Sequence, residues 1–111
     1  MDSILNSIKK LLGISPEYDR YDADIIMHIN SAFSTLTQLG VGPDNGYKII
    51  DEQDIWSDFI QDDNLEFEDV KTYVYQKVKL KFDPPLSGTL ISEMRDDIKE
   101  LEWRLNVKAE S

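Results

Sequence analysis

Apolar residues recur along most of this chain at intervals of three and four, the spacing that places side chains on one face of an α-helix. The first such set contains Ile4, Leu5, Ile8, Leu11 and Leu12. The second set contains Ile25, Ile29, Ala32, Phe33, Leu36 and Leu39. The third set, near the C-terminus, contains Leu90, Ile91, Met94, Ile98, Leu101 and Leu105. The pattern therefore predicts three amphipathic helices.

The ends of the first two helices are marked by residues that cap or interrupt a helix. Gly13 offers a left-handed stop to the first helix, and Pro16 follows within the usual distance. Asp22 or Asp24 can cap the second helix. The second helix should end at the glycine-rich sequence "LGVGP", because Pro43 cannot continue it.

The segment "VKTYVYQKVKLKFDPP", residues 70–85, fits both a strand and a helix. Its last residues alternate apolar side chains with lysines, as a half-buried strand does. However, about sixteen residues without an internal glycine or proline exceed the usual strand length of 3–10 residues. Acidic residues at its start and lysines at its end also suit the helix macrodipole. We therefore predict a helix that stops before Pro84 and Pro85, since a residue preceding proline disfavours the α conformation.

The middle of the chain predicts a loop followed by a short helix. Asp44, Asn45 and Gly46 are turn residues, and the apolar residues that follow can form a short extended piece from Tyr47 to Ile50. This loop is either a plain connector or a surface presented for contact. Asp54 can cap the short helix, whose apolar face contains Ile55, Trp56, Phe59 and Ile60.

The C-terminal helix can be capped by Ser87 or Thr89. Trp103 lies off the line of Leu101 and Leu105, so it is either a lid on the edge of the core or an anchor for another molecule. We favour the lid. Together the segments predict an all-α chain, a small bundle of about four or five helices with a long C-terminal helix and one extended loop after the second helix.

Composition limits the class of protein. The 111 residues suit one domain spanning 1–111, and no apolar run approaches the ~20 residues of a membrane span. The start of the chain lacks the form of a signal peptide, and there are no cysteines, so we expect a soluble protein made in the cytoplasm. The formal net charge of −10 would repel nucleic acid rather than bind it. That charge serves solubility, avoidance of DNA, or competition with DNA for a basic partner.

No catalytic or metal-binding pattern emerges. His28 is the one histidine, and with Asp24 it supplies too few ligands for a metal site. The acidic run of Asp51, Glu52, Asp54, Asp58, Asp62 and Asp63 lacks the order of a calcium-binding loop. Phosphate-binding glycine motifs and the nucleophile-elbow motif are missing from the sequence. We expect a binding or scaffold protein with no cofactor and no enzymatic activity.

Several segments resemble the small head-to-tail connector proteins of tailed bacteriophages, the head-completion adaptors that lie under the portal. The resemblance covers most of the chain and is carried by "ADIIMHINSAFSTLTQLGVGP", "DIWSDF", "VKTYVYQKVKLKFDPP" and "ELEWRLN". It implies a non-enzymatic helical protein that forms a closed ring of on the order of a dozen copies. Such a ring would extend the DNA channel below the portal protein and dock a stopper or tail-completion protein, with DNA passing through unbound.

The resemblance also implies roles for particular residues. Portal docking would fall to Trp103, Arg104, Leu105 and Asn106, with the tryptophan filling a pocket and the arginine pairing with a carboxylate. A neighbouring subunit or the next connector would contact the loop of Pro43, Asp44, Asn45 and Gly46. The hinge into the final helix would be Asp83, Pro84 and Pro85. A ring needs two different patches on each subunit, and the apolar faces of the first and last helices are the candidates.

Two other functions compete with this one. An acidic DNA-mimic inhibitor, which occupies the basic groove of a nuclease or repressor, would share the charge and the size. A DNA mimic does not need apolar stripes at both ends of the chain. The presence of these stripes therefore favours the connector. A helical enzyme subunit is the weakest alternative, because the sequence shows no set of convergent polar residues.

Overall fold

The fold is built from α-helices. The computed structural model describes residues 2–61 and 66–110, in which the helices are α1 (Ile4–Leu11), α2 (Asp22–Gln38), α3 (Trp56–Phe59), α4 (Phe67–Phe82) and α5 (Gly88–Ala109). These residues form no strand, and the one isolated antiparallel bridge joins Ser3 to Ile55. The all-α prediction, the long C-terminal helix and the extended loop after the second helix are confirmed.

The core lies between α2 and α4, with α1 packed across both helices and α5 packed along the outer side of α4. The predicted face of α2 is buried at Ile25, Ile29, Ala32, Phe33 and Leu36. The predicted face of α1 is buried as well, at Ile4, Leu5 and Ile8. Its own chain therefore covers most of this face and leaves Leu11 exposed, so the expectation of a ring patch there is contradicted for the buried residues.

Two of the predicted helix caps are wrong, in both cases because the aspartate side chain binds a different group. Helix α2 begins at Asp22 without a side-chain cap, and the Oδ1 of Asp22 instead lies 2.8 Å from the Nζ of Lys9. Asp54 does not cap α3, because its Oδ2 accepts hydrogen bonds from the backbone amides of Ile50 and Asp51. Ser87 does cap α5, since its hydroxyl accepts a hydrogen bond from the amide of Leu90.

Helix α4 settles the question raised by residues 70–85. It spans Phe67–Phe82, with Glu68 and Asp69 in its first turn and Lys79 and Lys81 in its last. The residue at its C-terminal end, Asp83, has a φ of −149° and a ψ of 66°, outside the helical region, as expected before a proline.

The loop between α2 and α3 is held to the helices by one side chain and one aromatic cluster. The side-chain amide of Asn30 makes two hydrogen bonds to the backbone of Ile49. Its Oδ1 accepts from the Ile49 amide at 2.8 Å, and its Nδ2 donates to the Ile49 carbonyl at 3.0 Å. These two bonds satisfy backbone groups that would otherwise need a strand partner. The rings of Phe33, Tyr47 and Phe59 pack together beneath the loop, with centroids 4.5 to 5.6 Å apart.

Candidate interaction surfaces

Helix α5 is covered by the rest of the chain along only part of its apolar stripe. Ile98, Leu101 and Leu105 are buried against the core, whereas the same stripe is 51% exposed at Leu90. Leu86, just before the helix, is fully exposed. An apolar stripe that continues beyond its own core is a candidate for contact with another subunit or another protein.

Trp103 lies on the opposite face of α5, with 67% of its surface exposed. The preference for a lid on the edge of the core is therefore wrong, because a lid would be largely buried. Val107, one turn later, is also exposed on this face. A large exposed aromatic side chain on a rigid helix has the character of an interface anchor.

The three residues that follow Trp103 make contacts within their own chain. Arg104 lies between two carboxylates, with Nη1 3.4 Å from the Oδ1 of Asp69 and Nη2 3.2 Å from the Oε1 of Glu100. Leu105 is buried in the core. The Nδ2 of Asn106 donates to the carbonyl of Leu39 at 2.9 Å, which ties the end of α5 to the end of α2. Of the four residues, Trp103 is the one most exposed for docking.

The loop of Pro43, Asp44, Asn45 and Gly46 forms a turn in which the Gly46 amide donates to the Pro43 carbonyl at 3.0 Å. Asp44 and Asn45 are exposed at its tip. The loop forms one wall of an open groove of about 400 Å³, whose other wall is the polar side of α2. The structure thus presents this loop at the surface, next to a groove that is open to solvent.

The predicted hinge of Asp83, Pro84 and Pro85 links α4 to α5. Its backbone leaves the helical region at Asp83, and the carboxylate of that residue pairs with the Nζ of Lys79 at 3.1 Å. The two prolines restrict the backbone of the link. The hinge therefore gives a defined turn between two antiparallel helices.

Almost all of the net charge comes from one segment. Between Asp44 and Asp69 the sequence has ten acidic residues and one lysine, a charge of −9, and the rest of the chain has twelve acidic and eleven basic residues. Asp62 and Asp63 of the acidic run lie outside the described residues. Asp51, Glu52 and Asp58 are exposed and make no ion pair with another described residue.

A basic groove lies between the second half of α4 and the middle of α5. It measures about 280 Å³ and is lined by Lys77, Leu80, Lys81, Arg95, Ile98, Lys99 and Glu102. Our reading of the sequence missed this groove, because the lysines of α4 looked isolated in an acidic chain. A signal was present, since each helix places two cations four residues apart, an arrangement that repels within a helix.

Two tyrosines have raised pKa values, both mainly because burial disfavours the charged phenolate. The pKa of Tyr47 is raised to about 12 by burial and by the nearby charges of Asp54 and Asp58. The pKa of Tyr73 is raised by burial and by the hydrogen bond that its hydroxyl donates to Glu102 at 2.7 Å. Both hydroxyls therefore stay protonated at neutral pH, and neither arrangement supplies a nucleophile or a base.

The described residues include no group of three or more histidine and acidic side chains placed to hold a metal ion. In the same part of the chain, no helix combines the length and the apolar character that crossing a bilayer requires.

Comparison with known protein families finds a match. The family model for phage connector proteins matches residues 4–111. The chain belongs to the phage connector protein family. Neither the curated proteins nor the solved structures gave a significant match.

Family membership confirms the resemblance drawn from the sequence. Connectors are structural components of the virion, and membership implies contact with the portal and tail proteins of a phage. The DNA-mimic alternative gains no support from the family or from the surfaces described above. Trp103, the loop at Pro43–Gly46 and the exposed stripe of α5 are the candidate contact surfaces of this connector.

Proposed function

We propose that this connector forms a closed ring of on the order of a dozen copies beneath the portal, with residues 1–111 acting as a single domain. The ring extends the DNA channel and docks the stopper or tail-completion protein. It is assembled in the host cytoplasm and becomes part of the virion at the head–tail interface. The family match over residues 4–111 is the observation that carries this proposal.

The charge of the connector suits a channel protein. With a net charge of −10, the subunit repels DNA phosphates, so the genome slides past without being held. A strongly basic lumen would bind the duplex and slow its exit. This function requires no enzymatic step and no cofactor.

In this proposal the exposed surfaces of the subunit contact different partners. Trp103 docks on the portal, and the loop of Pro43, Asp44, Asn45 and Gly46 contacts a neighbouring subunit or the next connector. The uncovered start of α5 at Leu86 and Leu90 adds apolar contact within the ring. Asp83, Pro84 and Pro85 set the angle at which α5 leaves α4.

Solution mass tests the proposed function. Light scattering would follow the connector across a range of concentrations, first alone and then mixed with a phage portal ring. A large closed oligomer supports the proposal, and so does a monomer that saturates the portal at one copy per portal subunit. A monomer or dimer that does not bind the portal contradicts it.

The variant Trp103→Ala should weaken portal binding by about tenfold or more, the loss typical of a buried aromatic anchor. Its free energy of unfolding should change by no more than about 0.5 kcal/mol, because the side chain is largely exposed in the subunit. Binding to an immobilised portal ring and chemical denaturation measure the two quantities.

A matched control is Met27→Ala, which removes another side chain that is mostly exposed, at 59%, but lies on α2. It should leave portal binding unchanged. If Trp103→Ala also leaves the affinity unchanged, Trp103 is not the portal anchor.

A further inference from the structure

The basic groove between α4 and α5 has the composition of a binding site for an apolar side chain flanked by carboxylates. Leu80 and Ile98 supply apolar surface, and the cations of the groove are Lys77, Lys81, Arg95 and Lys99. Glu102 is its one acidic residue, and it already accepts the hydrogen bond from Tyr73. The groove therefore has a large excess of positive charge.

The four cations of the groove make no ion pair with any described residue of the chain. By contrast, Lys9, Lys79, Arg104 and Lys108 each lie within 3.4 Å of a carboxylate oxygen. Two pairs of like charges spaced four residues apart repel within α4 and within α5. A partner that brings carboxylates into the groove would relieve this repulsion.

The acidic segment of the same chain contains a side chain with the matching composition. Ile50 is 81% exposed, although it is a large aliphatic residue, and the next two residues are the exposed Asp51 and Glu52. An exposed isoleucine followed by two carboxylates complements an apolar floor with cations around it. We call residues 50–52 the acidic knob.

Hydrogen bonds hold the backbone of the acidic knob in place. The Oδ2 of Asp54 accepts from the amides of Ile50 at 2.6 Å and Asp51 at 3.2 Å, and the Oδ1 of Asp51 accepts from the amide of Gln53 at 2.8 Å. Asn30 fixes the preceding residue, Ile49, to α2. A segment that is already ordered loses less conformational entropy when it binds.

The acidic knob does not reach the groove of its own chain. Its backbone is fixed to α2 through Ile49, whereas the groove lies between α4 and α5, and no groove cation pairs with Asp51 or Glu52. If the acidic knob fills such a groove, that groove therefore belongs to another copy. A contact between two different patches is heterologous, the kind of interface that closes into a ring.

We propose that the acidic knob of one connector subunit docks in the basic groove of its neighbour. Ile50 packs on Leu80 and Ile98, while Asp51 and Glu52 pair with the surrounding lysines and arginine. This inference rests on the proposed ring and names the contact that links its subunits. Because the contact is largely electrostatic, assembly weakens as the salt concentration rises.

Charge exchange between the two patches tests the proposal. The groove variant is Lys81→Glu with Lys99→Glu, and the knob variant is Asp51→Lys with Glu52→Lys; all four side chains are exposed. Each variant should weaken subunit association by about tenfold or more, because an attractive contact becomes repulsive. When both variants are combined in one chain, every interface again joins opposite charges, and assembly should return. Light scattering, alone and on a portal ring, measures association.

The controls separate folding from docking. Lys10→Glu with Asp19→Lys reverses one cation and one acid that lie outside both patches, and association should not change. Ile50→Ala should weaken association while leaving the unfolding midpoint unchanged, whereas Leu11→Ala, at another exposed aliphatic position, should leave association unchanged. Circular dichroism during thermal unfolding shows that each variant is folded.

The possible outcomes distinguish this inference from the proposed function. If the wild type assembles but the groove and knob variants assemble equally well, the interface is wrong and the connector function stands. The interface is also wrong if the combined variant fails to recover, or if groove variants lose only portal or DNA binding. If the wild type neither associates nor binds the portal, the proposed function is wrong and the interface with it.

Discussion

Replacing Gly42 with alanine should destabilise the connector by about 3 kcal/mol, combining a left-handed backbone with overpacking of the core. Gly42 has a φ of +90°, a conformation that L side chains rarely adopt. An added Cβ would also lie 2.6 Å from the Cζ of Phe59, far inside van der Waals contact. Phe59 is buried between Phe33 and Tyr47, so its ring cannot move aside at low cost. Thermal unfolding should show a midpoint lower by about 12 °C.

Gly40 provides the matched control. Its φ of +80° is nearly the same, but an added Cβ would have no heavy atom within 4 Å. Gly40→Ala should therefore show the backbone cost alone, about 1 kcal/mol. Equal losses at the two positions would mean that the contact with Phe59 contributes nothing.

Replacing Asp22 with asparagine should cost about 3 kcal/mol, because it leaves a buried lysine without its counter-charge. The side chain of Lys9 is fully buried, and that of Asp22 retains 27% exposure. After the substitution, the ammonium group would still contact the amide oxygen of the asparagine and the carbonyl of Pro16, which accepts from Nζ at 3.1 Å, but neither of these acceptors carries a negative charge. Chemical denaturation measures the loss of unfolding free energy.

The reciprocal variant, Lys9→Met, should cost less, about 1 kcal/mol, since it removes the buried charge and leaves a carboxylate that water can reach. The double variant should be more stable than Asp22→Asn alone for the same reason. If Lys9→Met lowered the free energy of unfolding more than Asp22→Asn does, the unequal burial of the two partners would not explain the difference between the variants.

Residues 70–85 show how far local information reaches. Helix α4 spans Phe67–Phe82 and stops before the two prolines, as the sequence predicted. The spacing of apolar residues, the order of the charges and the conformational restriction before proline all act within a few residues of chain. Structural features that depend only on such close neighbours in the sequence can be predicted without knowing the fold.

Apart from the Asp54 cap, which fails because the carboxylate binds the nearby backbone amides of Ile50 and Asp51, the wrong predictions involve contacts between residues distant in sequence. Asp22 had the expected chemistry of a cap, but Lys9 of another helix lies beside it. Trp103 had two possible environments, and the packing of α5 along α4 left it facing outwards. The apolar stripe of α5 is continuous in the sequence, yet Leu90 is exposed and Leu105 is buried.

The ion pairs Lys108–Glu66 and Arg104–Asp69 show why the stripe divides in this way. They align the C-terminal half of α5 with the start of α4 in an antiparallel arrangement. In this antiparallel alignment, Leu90 lies beyond the C-terminal end of α4 at Phe82. Little of α4 is therefore left to cover the side chain of Leu90. A sequence pattern gives the face of a helix but not the length of its partner along that face.

For this connector, the sequence by itself determined the helical class, the extent of α4, the apolar faces and the excess of acid, because these depend on neighbours along the chain. It also carried enough of the family pattern to be recognised as a phage connector. Only the tertiary structure decided which parts of those faces remain exposed, and that four cations on two helices meet in one groove. Those features depend on how distant segments align, which spacing along a single chain does not specify.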